Sequence, residues 1–194
     1  MITNKDIAKI AFNLIIVYVI GGVLLAGMYV YTTPIISRNA VAAKKAALNM
    51  ILPEAVSIEK SGDWTIHDRQ AEYYLAKNAE GPCGYIIESY GKGYSSFIHV
   101  LIATDSAYAV KKITVLAHGE TPGLGDEIEA DWFQKQFAGK LETAMKVIKG
   151  PTAENIQAIS GATISSRAVT EDAVRNALIF LRQVNQGTLQ NGEK

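Results

Sequence analysis

The chain changes its hydrophobic period three times. No charge interrupts residues 10–37, and the apolar stretch 12–31 is twenty residues long, which at about 1.5 Å per residue spans roughly the 30 Å of a bilayer core. It predicts a membrane-spanning helix. Tyr29 and Tyr31 stand near one end, Gly22 and Ala26 give a small-xxx-small pair, and Pro34 predicts a kink or an end. Residues 39–51 then carry Val41, Ala47, Leu48 and Ile51 at helical spacing and stop before Pro53, which predicts a stalk helix. The next stretch alternates instead. Segments 57–67, 72–77, 83–90, 96–104 and 109–117 are rich in Ile, Val and Tyr and are parted by turn residues, the pattern of an antiparallel meander. The connections are too short for parallel crossovers.

After the strands comes a loop dense in turn residues, 118–126, followed by an expected helix over 127–137 with Ile128, Trp132, Phe133 and Phe137 on one side. A further strand is expected over 144–149. The last element is a helix from about 166 to 185, with Val169, Ala173, Ala177 and Leu181 along one stripe. The fold class is α+β: one antiparallel sheet with packed helices, preceded by a single N-terminal transmembrane helix. The expected divisions are an anchor at 1–37, a stalk at 38–53, a ligand-binding domain at 54–187 and a flexible tail at 188–194.

Charge changes this picture only in part. Lysine plus arginine equals aspartate plus glutamate over the whole chain, but before Ala46 five basic residues face one acid, leaving 14 basic and 18 acidic residues beyond. A mildly acidic domain argues against nucleic acid as a partner. Two positive charges precede the apolar span and three follow it, so charge alone does not orient the helix. A cleaved signal peptide is the rival reading, with Ala40-Val41-Ala42 as the cleavage site, but the apolar run is too long and Arg38 intervenes. The one cysteine, Cys83, excludes an internal disulfide and an iron–sulfur cluster ligated by this chain alone. His67, His99 and His118 share no metal-ligand spacing.

Two motifs carry the candidate chemistry. Ser160-Gly161-Ala162-Thr163 joins small side chains, a glycine and two hydroxyls just ahead of a helical pattern. There the backbone can approach a ligand, and free amides with the helix dipole behind them can meet a phosphate. Taken alone it reads first as a turn at Ser160 and Gly161 with Thr163, Ser165 or Ser166 as a helix cap. The second motif is Glu120-Thr121-Pro122-Gly123-Leu124-Gly125.

Both motifs, on a small domain behind one membrane helix, resemble the covalent-flavin domain of the Rnf complex G subunit. They are similar also to the C subunit of the sodium-pumping NADH:quinone reductase. The resemblance runs from the anchor through both motifs. It implies that Thr163 carries FMN through a phosphoester and that Ser160, Gly161 and Ala162 form the rest of its attachment motif. It also implies that Glu120, Thr121, Leu124 and Gly125 lie against the flavin. Tyr94 and Ser95, in Gly93-Tyr94-Ser95-Ser96, are expected in a tight loop near the ring, with serines where the family often has glycines. Lys149, ahead of Gly150, is a candidate partner of the phosphate, against a reading as a solvated lysine. Tyr94 and Trp132 are the aromatics that could stack on the ring.

The resemblance further implies a flavin transferase that moves the FMN half of FAD onto the threonine, recognising an acid three residues before the motif. Gln157 stands at that position. The function implied is an electron relay in a membrane-bound, ion-translocating ferredoxin:NAD oxidoreductase. Other iron–sulfur and flavin subunits are then its partners, and the flavin domain lies on the extracytoplasmic face of the cell membrane. No side chain here acts as acid, base or nucleophile in turnover, because the redox chemistry is the cofactor's. The alternatives are a component of a quinone-reducing sodium pump or other respiratory flavoprotein, and a non-redox, membrane-anchored assembly module.

Overall fold

The computed structural model describes residues 4–186; the tail expected at 188–194 lies outside them. The chain falls into two compact units that meet between Ala43 and Lys44. The first is helical, the major part of α1 (Asn4–Ile51), which runs through Pro34 without interruption. Proline therefore does not end the helix. Nearby hydroxyls turn back onto the main chain: Thr32 Oγ1 donates to Met28 O at 2.8 Å and Thr33 Oγ1 to Tyr29 O at 2.7 Å. That satisfies polar atoms in a segment meant for lipid. The large apolar side chains between Ile7 and Ile36 are exposed, which is costly in water and favourable in a bilayer, and the helix is long and apolar enough to cross one.

The second unit begins at Lys44. Five strands, β1 (Ser57–Ile66), β2 (Arg69–Asn78), β3 (Gly81–Lys92), β4 (Phe97–Asp105) and β5 (Val110–Ala117), pair in sequence order. Every pairing is antiparallel. The expected meander is therefore the observed one. β1 and β2 are joined by His67 and Asp68 alone, both with positive φ (52° and 57°), the two-residue turn whose twist suits a hairpin.

The sheet is buried on both faces, and the alternation along β4 divides them. Ile98, Val100 and Ile102 enter one core with Ile87, Phe133, Phe137, Val169, Ala173 and Leu181. Leu101 and Ala103 enter another with Tyr74, Ile86 and the residues Ile51 and Leu52 at the end of α1. Each fully buried Ile, Leu or Phe contributes about 1.5–3 kcal/mol, so the helices are held to the sheet mainly by this burial.

Three expectations past β5 need correction. The helix expected over 127–137 is two short pieces, a 3-10 turn Gly125–Glu129 and α2 (Asp131–Lys135). They are split because Ala130 is extended (φ −64°, ψ 137°). The strand expected over 144–149 shrinks to β6 (Val147–Ile148), and its partner is the parallel β7 (Ile156–Gln157) rather than the main sheet. The last helix begins three residues earlier than its apolar stripe suggested. It runs as α3 (Thr163–Arg167), a π turn Ala168–Val174, and α4 (Arg175–Asn185).

The π turn packs closely on β3. Gly91 of β3 lies so close to it that a Cβ there would stand 1.9 Å from the Ala168 carbonyl oxygen. Ser89 Oγ donates to Ala173 O at 2.8 Å, satisfying a carbonyl where the widened helix disturbs its own ladder. Backbone thus packs directly on backbone just past the end of α3.

Candidate functional site

Three loops converge at the start of α3. Residues 93–96 form a tight turn closed by Gly93 N–H donating to Ser96 O at 2.9 Å. In 120–126, the carbonyl of Thr121 accepts from Leu124 (3.2 Å), Gly125 (2.9 Å) and Asp126 (3.4 Å), so the Pro-Gly-Leu-Gly run folds back on itself. The third is 159–162. There Gly161 adopts φ +78°, a left-handed conformation that favours glycine. A Cβ on it would meet Leu124 Cδ1 at 2.8 Å.

Glu120 ties the first two of these loops to α3. It is 5% exposed, and its carboxylate accepts from the amides of Tyr94 (3.0 Å), Ser95 (3.0 Å) and Ser96 (3.3 Å) and from the hydroxyl of Ser165 on α3. Burial, the largest single influence, pushes this carboxyl's pKa up. The hydrogen bonds from Ser165 and from the amides of Ser95, Tyr94 and Ser96 together outweigh it and hold the group below the usual carboxylate range. Around it, Glu120 N–H donates to His118 Nδ1 at 3.1 Å, which puts the imidazole proton on Nε2, 3.0 Å from Glu129 Oε1. Gly119 N–H donates to Ser96 Oγ at 2.7 Å.

The cleft they enclose has a volume of about 520 Å³, inside the roughly 300–1,000 Å³ range of small-molecule sites. Its lining includes Glu120, Thr121, Leu124, Gly125, Gly161, Ala162, Thr163 and Tyr94, which gathers eight of the eleven residues that the sequence nominated. Ser95 contributes through its amide to Glu120, and Ser160 is exposed on the turn ahead of Gly161. Lys149 is exposed and does not line the cleft. Trp132 does not line it either; it packs edge-on against Phe133, with its indole N–H 3.4 Å from Glu127.

Two lining residues, Ile164 and Ser165, escaped the sequence reading. Ser165 looked like a possible helix cap, and only the distant Glu120 reveals its partner. Ser166, the other candidate cap, donates to Ala162 O at 2.9 Å and accepts from Ile159 N at 3.0 Å. That bond pins the Ser-Gly-Ala-Thr turn from beneath. Gln157, three residues before the motif, pairs its main chain with the Gln136 side chain through Gln157 N–H to Oε1 at 2.7 Å.

Chemically the cleft offers two kinds of surface. Apolar Leu124, Ile164 and the ring of Tyr94 offer flat contact. At the start of α3, the first intrahelical bond is Ser166 N–H to Ala162 O, which leaves the amides of Thr163, Ile164 and Ser165 without a helical acceptor. With Thr163 half-buried at the same place, these amides suit an anion beside its hydroxyl. An amphipathic molecule with a planar ring and a phosphate fits these residues. Such a molecule is a flavin mononucleotide.

The fold and cleft define an FMN-binding protein, and the family described as FMN-binding domain matches residues 93–179, a span that holds every lining residue. The chain belongs to the family of G subunits of Rnf-type ion-translocating oxidoreductases. It is 31% identical to the G subunit of the proton-translocating ferredoxin:NAD(+) oxidoreductase complex from Clostridium ljungdahlii, over 93% of this chain and 98% of that one. It is 30% identical to the G subunit of the ion-translocating oxidoreductase complex from Methanosarcina acetivorans, over 93% and 97%. The crystal structure of NqrC from Shewanella oneidensis shares the fold, with a TM-score of 0.54 at 23% identity, over 70% of this chain and 74% of that one.

Proposed function

We propose that this chain carries FMN as a phosphoester on Thr163 and relays electrons between neighbouring carriers of an Rnf-type ferredoxin:NAD oxidoreductase complex. One observation carries the reading: the Thr163 hydroxyl opens α3 at the rim of a cleft built from both sequence motifs. Bound FMN supplies the redox chemistry, and the chain supplies attachment and surroundings. Glu120 and Ser165 keep the loops in place, Leu124 and Ile164 exclude water from the ring, and the α3 amides stabilise the phosphate.

Attachment makes Thr163 a nucleophile once. Its oxygen bonds to the phosphorus of the FMN half of FAD, the phosphoanhydride bond breaks, and AMP leaves with the electron pair. The hydroxyl proton passes to a base of a flavin transferase. The membrane span anchors the domain, and the proposal places that domain on the extracytoplasmic face, where a covalent bond retains a cofactor that has no local pool to replace it. Protease added to intact cells should therefore reach it.

The direct test is the denatured protein. After extraction from membranes that contain the transferase, its gel band should fluoresce as flavin, and Thr163→Ala should be dark while folding normally. A dark wild-type band under the same conditions would overturn the reading.

A further inference from the structure

The sequence nominated Lys149 as the cation beside the phosphate, but that residue does not line the cleft. The structure supplies another. Arg167 stands four residues after Thr163 on α3, which brings two Cβ atoms about 5–6 Å apart on one helical face. The Arg167 side chain lies the other way, toward Glu171, so meeting the phosphate requires it to swing back over the turn that begins at Thr163, the direction in which helical side chains ordinarily lean.

Its present engagement is slight. The side chain is 60% exposed, and its contact is Nε to Glu171 Oε2 at 4.0 Å. Glu171 itself is committed elsewhere, since its Oε1 accepts from Val147 N–H at 2.8 Å. Arg167 also lines a hollow of about 290 Å³ that shares Ile164 with the main cleft and holds a second cation, Lys92. The hollow's other acid, Asp172, is occupied by the Lys92 amide, His67 and Asn176. Arg167 therefore stands about one helical turn from the attachment point, in a hollow whose acids already have donors.

We propose that Arg167 is the ion partner of the flavin phosphate, exchanging its loose contact with Glu171 for a forked pair of hydrogen bonds to the phosphate oxygens. This rests on the reading of Thr163 as the attachment point. A guanidinium presents two parallel N–H groups to such oxygens, and in forming the pair it would neutralise the negative charge that remains after esterification.

The test uses the full chain in detergent with purified transferase and FAD, following covalent flavin by gel fluorescence and intact mass. Arg167→Ala should load about tenfold more slowly, Arg167→Lys should recover only part of the rate because an ammonium supplies the charge without the fork, and raising the salt should slow the wild type more than Arg167→Ala. The variants are then loaded to completion and compared by phosphorus NMR, a readout in which the transferase plays no part. The phosphodiester resonance should move in Arg167→Ala. Equal loading rates, or an unmoved resonance, would overturn the pairing and leave Thr163 attachment standing. A wild type that takes up no flavin would overturn the attachment reading itself.

Discussion

Two buried glutamates, one beside the cleft and one on the opposite face of the sheet, are stabilised in different ways. Glu120 is held by loop amides and one serine hydroxyl. Glu88, 3% exposed, has Lys44 Nζ at 2.5 Å and His99 Nε2 at 3.3 Å. Lys44 also contacts Glu72, which Lys60 reaches at 2.6 Å. The Glu88 cluster is a set of side-chain charges that ties the end of α1 to the sheet. The Glu120 cluster has no cation in it. Main-chain donors cannot move independently of the loop that carries them, so Glu120 defines a shape, whereas Glu88 and Glu72 secure a junction. The first arrangement suits a binding site and the second suits a joint.

The largest effect expected from this contrast is at Glu120. Glu120→Ala leaves three amides and the Ser165 hydroxyl without their acceptor in a poorly hydrated place, a loss of about 2–4 kcal/mol. Urea unfolding of the detergent-solubilised chain would measure it. Added salt should not rescue the variant, because no ion pair is involved. An equal loss in Glu88→Ala that salt also leaves untouched would erase the distinction between the two clusters.

Next in size is the backbone contact between Gly91 and the turn that follows α3. Gly91→Ala drives a methyl against the Ala168 carbonyl, where a Cβ would stand at 1.9 Å. Overpacking of this kind costs about 1–3 kcal/mol. Ala168 follows directly on the helix that Thr163 opens, so a shift there should slow flavin loading even under conditions where the variant remains folded. Stability that falls with loading unchanged would show that the contact supports the core but does not position the site.

This division also explains what the sequence made legible. The meander was readable because period-2 alternation and turn residues are local, and Thr163, Leu124 and Gly125 were readable because they sit in contiguous motifs. The role of Ser165 was not, because its partner Glu120 lies 45 positions away and nothing local distinguishes it from a cap. The early start of α3 was hidden for a related reason. Apolar periodicity marks the buried stripe of a helix, but the residues that open this one, Thr163 and Ile164, face the cleft. The break at Ala130 is a single extended residue, and the π turn at Ala168–Val174 lies where the Gly91 backbone of β3 meets the Ala168 carbonyl. No residue type in either segment announces them.

The smallest effect separates the clusters by acid. In the folded protein the Glu72 carboxyl is held down at about 2, against an ordinary 4.5, through hydrogen bonds from Lys44, Lys60 and Tyr74. A carboxyl lowered on folding contributes stability that is complete above its unfolded value and disappears as pH falls through its folded one. The junction should therefore weaken between about pH 4.5 and 2. Glu72 keeps 30% of its side chain exposed, so solvent and salt screen the pairing and reduce its contribution to about 1 kcal/mol or less. Urea midpoints of wild type and Glu72→Gln should differ at pH 7 and converge toward pH 2–3, with the gap at pH 7 narrowing in high salt. Glu120 titrates against fixed amides instead, so any acid loss traced to it through Glu120→Gln should be indifferent to salt. A Glu72 gap that also ignores salt would mean that the junction, like the cleft, is held by geometry rather than by charge.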